Sequence, residues 1–332
     1  MSNGKTAGSE VDAYGPNGRV DCTFEFNDRG RGPKIAAHYV LGADGLPQRT
    51  DVTGNDYLKA PVDEHFVIEN GAARWNSTSE TGQTRSLGFY ISNNGPIAES
   101  AFLARALLKS NSAPLKLLPA GEAQIEKMTD VTLENQGQKV HVTEFGITGL
   151  GYEPQTLWLD DDQHLFAVPG NWFAILREGW ERTNDRLFAL DRAAEDARHA
   201  RLAKELAQRP EHPVAVEHVR LFDSEQATMR DDQTVVIKAD RIFSVGPSDT
   251  ASVPSDALRI DGRGKTLLPG LFDMHAHLQA TDGLLDVASG VTGARDMGND
   301  IEQLRHLQDQ WDSGTAIGPR VWKSGFIDGR GP

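Results

Sequence analysis

At 332 residues, 38% hydrophobic and 25% charged, the chain is long enough for two domains and has an ordinary globular composition. Its 34 lysines and arginines face 48 aspartates and glutamates, a formal net charge of −14, and no stretch gathers a basic stripe; nucleic acid and anionic membrane are excluded as main partners. The single cysteine, Cys22, excludes an internal disulfide.

Residues 1–19 are polar and glycine-rich and read as a disordered N-terminus. No positively charged head is followed by an apolar run, so neither a secretory signal nor a membrane span is expected. As written the sequence reads as cytoplasmic; a periplasmic product is the expectation if the N-terminus is incomplete.

Residues 20–170 read as a β-rich antiparallel domain. Cys22-Thr23-Phe24-Glu25-Phe26 alternates, residues 35–41 are a second strand, and Asp44-Gly45 signals a tight turn. Further strands are expected at 64–68, closing at Asn70-Gly71, then at 73–77, 86–91, 123–133, 139–148, 156–159 and 165–167. Only Ala98–Lys109 looks helical here. Phe24, Phe26, Tyr39, Phe89, Phe145 and Trp158 are the expected core. Asn27-Asp28-Arg29-Gly30-Arg31-Gly32-Pro33 has the composition of an anion loop, but it joins two strands and opens no helix. Asp160-Asp161-Asp162 begins like a calcium loop, yet the later Gly and Glu do not follow, so an acidic turn is expected. His38, His65, His141 and His164 lie singly, without ligand spacing.

Residues 171–212 read as a long helix, 172–208, and a linker, with Leu176, Trp180, Leu187, Leu190, Ala194 and Ala197 at helical spacing. From 213 to 265 the pattern turns to short strands, at 215–222, 234–238, 241–245 and 258–260.

Then Leu267-Leu268-Pro269-Gly270-Leu271-Phe272 leads into Asp273, His275 and His277, which alternate at the period of a strand and so share one face. Two neutral imidazoles side by side at a strand end can hold one metal ion, since their nitrogens bind zinc at about 2.0–2.1 Å and a catalytic site keeps a position open for water. An isolated His-x-His also occurs as two half-exposed strand residues, so its context decides.

That context resembles the start of the metal-dependent amidohydrolase superfamily, whose first barrel strand carries Pro-Gly, two apolar residues and Asp-x-His-x-His. Ile237-Lys238-Ala239-Asp240-Arg241-Ile242 resembles the hairpin of the small β-subdomain that precedes that barrel. Gly290-Val291-Thr292-Gly293-Ala294-Arg295-Asp296-Met297-Gly298 is similar to the second-strand stretch of the imidazolonepropionase-like and prolidase-like branch, with Gly293 where that branch has Thr. Gly318-Pro319-Arg320-Val321-Trp322 is similar to its third-strand opening.

The resemblance implies hydrolysis of a C–N bond in a small amide, cyclic amide or dipeptide-like substrate by metal-activated water, with one or two divalent ions, zinc foremost, in a complete enzyme. It implies His275 and His277 as metal ligands, with Asp273 either behind them or as a support at the strand end, holding ring orientation by hydrogen bonding. Asp296 and Arg295 fall at the active-site rim, where a structural ion pair between them is the plainer reading. His306, among Leu304, Leu307 and Trp311, reads as a packing residue.

A (β/α)8 barrel takes about 250 residues. Residues 266–332 hold only strands 266–275, 291–295 and 320–326 and helices 282–289 and 300–313. The expected fold class is therefore α+β: a β-rich antiparallel N-terminal domain with a long helix, a small β-subdomain (213–265), and the first strands of a truncated (β/α)8 TIM barrel (266–332). The catalytic residues are expected beyond Pro332. This chain alone is expected to bind zinc weakly and hydrolyse nothing, unless a second chain supplies the missing strands. The alternative is a non-catalytic ligand- or partner-binding module built on the N-terminal domain.

Overall fold

The structure, a computed structural model, describes residues 5–111 and 113–325. It divides into two compact units, Met1–Ala194 and Glu195–Pro332.

The first unit opens with a seven-stranded antiparallel meander in which each strand pairs with the next. Its strands are β1 (Gly8–Tyr14), β2 (Arg19–Phe26), β3 (Lys34–Leu41), β4 (Pro47–Asn55), β5 (Pro61–Glu69), β6 (Ala72–Asn76) and β7 (Thr81–Thr84). The β5–β6 hairpin turns at Asn70-Gly71, with φ of 51° and 72°, the left-handed pair that a two-residue hairpin requires. β1 corrects the expectation of disorder over 1–19: it pairs along its length with β2, from Gly8 opposite Phe26 to Tyr14 opposite Val20. Backbone pairing to a strand edge needs no apolar side chains. β4, which the sequence reading missed, is polar outside, but its Thr50 and Val52 are buried.

A second seven-stranded sheet has the order β14-β13-β12-β11-β10-β9-β8. These strands are β8 (Phe89–Tyr90), β9 (Leu115–Leu118), β10 (Glu122–Asn135), β11 (Gln138–Thr148), β12 (Gln155–Asp160), β13 (Leu165–Val168) and β14 (Ile175–Leu176). Between β8 and β9 runs α1 (Ala98–Lys109), rich in alanine and leucine, which bury its Phe102, Leu103 and Leu107 in one core with Phe24, Tyr39, Phe89, Ile147 and Leu157. Phe26 and Phe145 pack at the edge of this core. Trp158, expected there, lies in a second core on the sheet's other face, with Leu133, Val142, Phe166, Trp180 and Leu187.

Leu187 belongs to α2 (Asn184–Leu206). The single helix expected over 172–208 is thus replaced at its start by β14 and a 3-10 turn at Glu181–Thr183, because Ile175 and Leu176 pair with β13 instead. Three carboxylates seat the start of α1. Glu10 accepts from the N–H groups of Ile97 and Ala98, at 2.9 and 2.6 Å, which satisfies donors a helix leaves unpaired. Glu64 accepts from Asn93 and Asn94, and Glu99 from Tyr39 and Ser92.

In the second unit, β15 (Val214–Asp223), β16 (Thr228–Lys238), β17 (Arg241–Pro247), β18 (Leu258–Asp261) and β19 (Thr266–Leu267) form a five-stranded sheet. The strand expected over 266–275 is split. Thr266 and Leu267 pair with β15, Leu268-Pro269-Gly270 breaks the run, and β20 (Leu271–Ala276) starts a separate sheet. Proline lacks the N–H that a continuous ladder needs.

That sheet is three parallel strands, β20, β21 (Val291–Asp296) and β22 (Arg320–Lys323), joined by α3 (Ala280–Ala288) and α4 (Ile301–Ser313). Ala276, Ala294 and Val321 share a core with Leu304, Leu307 and Trp311 of α4. Asp300 caps α4 by accepting from Glu302 and Gln303 N–H, and Gly314 ends it at φ 70°. Part of the third expected strand, Phe326, lies outside the described residues.

Candidate functional site

The two histidines meet at the C-terminal end of β20. Their rings stand 5.3 Å apart, centre to centre, at 68°. Imidazole nitrogens lie about 2.0–2.1 Å from zinc, which puts two rings sharing an ion roughly 5 Å apart, a ring spacing similar to the one seen here. Both residues are exposed.

One ring is fixed. His277 Nδ1 lies 2.8 Å from the carbonyl oxygen of Gly298. A carbonyl only accepts, so Nδ1 carries the proton, and in the neutral ring Nε2 bears the lone pair, the tautomer a metal ligand needs.

Gly298 is itself held by Asp296, the polar centre of this loop. Asp296 is fully buried, and its carboxylate accepts from the N–H groups of Leu278 (2.8 Å) and Gly298 (3.0 Å) and from Asn299 Nδ2 (3.1 Å). Asn299 also donates to the Leu278 carbonyl at 2.7 Å. The ends of β20 and β21 are thereby tied on either side of His277.

A register shift separates the expected residues onto two faces. Asp273 pairs with Ala294, and Ala276 with Asp296. Three steps along β20 match two along β21, so a bulge lies between. Ala294 and Asp296 share the face that packs on the helices, which puts Asp273 there with them and His275 and His277 on the opposite face. Asp273 Oδ1 accepts from the backbone N–H of His275 at 2.9 Å, a contact at the strand end. Asp282 and Asp273 add to partial burial in raising the Asp286 carboxyl above its ordinary value.

Arg295 pairs in register with Trp322, on the histidine face, and its Nε lies 3.4 Å from Ser324 Oγ. The ion pair expected between Arg295 and Asp296 does not form, because adjacent strand residues point to opposite faces and Asp296 is committed to N–H donors. His306, read as packing, instead holds Asp196 through Nε2, at 2.9 and 3.1 Å.

The single histidines of the first unit are each drawn to carboxylates. His38 bonds Asp21, His65 bonds Asp51 and Asp63, and His141 bonds Asp161 and Asp130. Hydrogen bonding to Asp51 raises the His65 pKa, and bonding to Asp161 and Asp130 raises that of His141. Asp160, Asp162 and His164 bring ligand atoms within 4.8 Å of one another. Asp160, however, is taken up by Arg177 (2.6 Å) and the His164 N–H (2.8 Å), as an acidic turn requires. The sequence signal for these pairs was the cross-strand register, which places Asp21 beside His38 and Asp51 beside His65.

No protein-family model and no curated protein matches this chain. Parts of it are similar to solved structures. A candidate prolidase from Bifidobacterium longum is 32% identical, with a TM-score of 0.33, over 36% of this chain and 33% of that one. Molinate hydrolase is 26% identical, TM-score 0.31, over 35% and 30%. A Xaa-Pro dipeptidase is 24% identical, TM-score 0.32, over 34% and 33%. The chain spans about a third of the length of these structures. Its neighbours among solved structures are thus hydrolases, prolidases and amidohydrolases among them.

Proposed function

We propose that this chain is the N-terminal part of a metal-dependent amidohydrolase of the imidazolonepropionase-like or prolidase-like kind, which hydrolyses a C–N bond in a small amide or dipeptide-like substrate. The observation that carries the reading is the His277 ring, held in the ligand tautomer by Gly298 and set 5.3 Å from His275 at a parallel strand's C-terminal end. Active sites of such βα units gather at that end.

His275 and His277 would hold a divalent ion, zinc foremost. A bound ion lowers the pKa of its water from 15.7 to about 7 and polarises the carbonyl under attack. Asp296 acts through Gly298 to keep His277 aimed, Asp273 fixes the backbone at His275, and Arg295 lies on the histidine face, where substrate would lie. Two imidazoles fill half of a tetrahedral set, so the remaining ligands and the proton-moving group come from further strands, on this polypeptide or a second chain.

Reading the coding sequence onward past the Pro332 codon tests this. Later strand segments bearing further histidines and an aspartate are expected. A stop codon there, with no neighbouring frame that supplies them, together with turnover by this chain alone, overturns it.

One observation favours a binding role for the first unit. A cavity of about 500 Å³, lined by Ile97, Glu99, Leu103, Ile147 and Leu157 among others, opens beside α1. Its size and mostly apolar lining suit a small ligand. Saturable binding of a lipid-like fluorescent probe, lost when Leu157→Trp fills the cavity, is the expected result; binding unchanged in the variant contradicts it.

A further inference from the structure

The cavity beside α1 has a buried acid in its lining. Leu103 of α1, Ile147 of β11 and Leu157 of β12 give it apolar walls, and Glu99, in the first turn of α1, lines it too. Glu99 is only 6% exposed. Its donors are all neutral. Oε2 accepts from the Tyr39 hydroxyl at 2.8 Å and the Ser92 hydroxyl at 2.6 Å, and Oε1 accepts from the Ser92 N–H at 2.9 Å. A carboxylate offers about four acceptor positions, so one on Oε1 is left over.

Gly95, in the same lining, stands against this group. A Cβ there would lie 2.9 Å from Oε2 and 3.2 Å from Oε1, so the absent side chain leaves space beside both oxygens.

Charge decides what fits that space. No cationic side chain pairs with Glu99 among the described residues. The segment around it is bonded by two further carboxylates, Glu10 at Ile97 and Ala98 and Glu64 at Asn93 and Asn94. An anionic head would be repelled there, and a neutral one would leave a buried charge without a counter-ion. Burial pushes the Glu99 carboxyl above its ordinary value, as it does for a carboxylate kept from solvent without a cation.

We propose, on the reading that this cavity is a binding site, that it takes a small amine: an apolar body between Leu103, Ile147 and Leu157, with an ammonium head that donates to Glu99 Oε1. The ammonium supplies the counter-charge that the protein does not. Asn93 and Gln155, also in the lining, carry amide carbonyls that can accept from its other N–H groups.

Isothermal titration of the full chain with octylamine, octanol and octanoate, each below its aggregation limit, tests the assignment. Octylamine, present as its ammonium ion, is expected to bind about tenfold tighter than octanol, the worth of a hydrogen bond to a charged group, and octanoate not to bind. Leu157→Trp, which fills the cavity, should abolish octylamine binding. Glu99→Gln should bring octylamine down to the level of octanol. Gly95→Ala, at a position without left-handed backbone, sets a methyl beside the carboxylate and keeps its charge. It should also cut the amine's advantage, and it serves if the Glu99 variant does not fold. Octanol or octanoate as tight as octylamine, or an amine preference kept by both Glu99→Gln and Gly95→Ala, overturns the amine assignment and leaves the cavity a binding site. No binding of any of the three, or octylamine binding that survives Leu157→Trp, overturns the binding role of the cavity and the amine assignment with it.

Discussion

The second sheet of the first unit and the parallel sheet of the second unit differ in how many faces they cover. The first has α1 on one side and α2 on the other, and Ile147 and Trp158, on opposite faces, are both wholly buried. The β20–β21–β22 sheet packs α4 on one face only. On the other face the Phe272 and Trp322 rings lie 4.9 Å apart, tilted at 47°, while remaining 44% and 51% exposed. Parallel sheets usually have both faces covered, so this sheet contrasts with the second sheet of the first unit. The histidine pair lies on that bare face. The difference teaches how coverage and side-chain pairing vary along this chain: among the described residues, the doubly covered sheet buries Glu144, whereas the singly covered one exposes the adjacent rings of His275 and His277.

The largest effect that tests this contrast is a cavity. Phe102→Ala, deep in the core around α1, should cost about 3–5 kcal/mol in chemical denaturation, whereas Phe272→Ala on the bare face should cost less than about 1 kcal/mol. Equal costs would erase the distinction. Next comes Asp296→Ala, which leaves the Leu278 and Gly298 N–H groups unpaired at about 1–3 kcal/mol each. Amide protection around residues 276–299 should fall, and nitrogen NMR should find His277 no longer fixed with its proton on Nδ1. Retention of that tautomer would remove Asp296 from the positioning role.

A smaller effect concerns pH. Burial raises the Glu10 carboxyl from 4.5 to about 7, so its contribution is present below about 4.5 and lost as pH rises through about 7. Glu10→Gln should flatten the pH dependence of exchange at the start of α1 and leave the second unit unchanged. An unaltered profile would mean that Glu10 does not titrate there. Smallest of all, Arg305→Ala cuts an exposed pair with Glu302 and should change stability by less than about 0.5 kcal/mol.

Local signals carried much of the fold. Asn70-Gly71 forced its hairpin, alanine and leucine placed α1, and Asp300 and Gly314 bounded α4. β1 and β4 were hidden because their pairing is mostly backbone, and the 172–208 helix was overdrawn because Ile175 and Leu176 satisfy helical spacing and strand pairing alike. At the site, the His-x-His spacing placed both histidines on one face of a strand. The bulge that sends Asp273 to the helix side was not legible, since it depends on a register with β21 that no local pattern encodes. Asp296 was visible as a residue at a strand end, but its part in holding Gly298 arises from a loop closing in three dimensions.

Equilibrium dialysis of the purified chain against zinc, with metal analysis of the chain and of a His275→Ala/His277→Ala variant, tests the central claim most directly. The account predicts weak binding of zinc that the double substitution abolishes. Zinc retained by the variant, or tight stoichiometric zinc in the chain by itself, would contradict it.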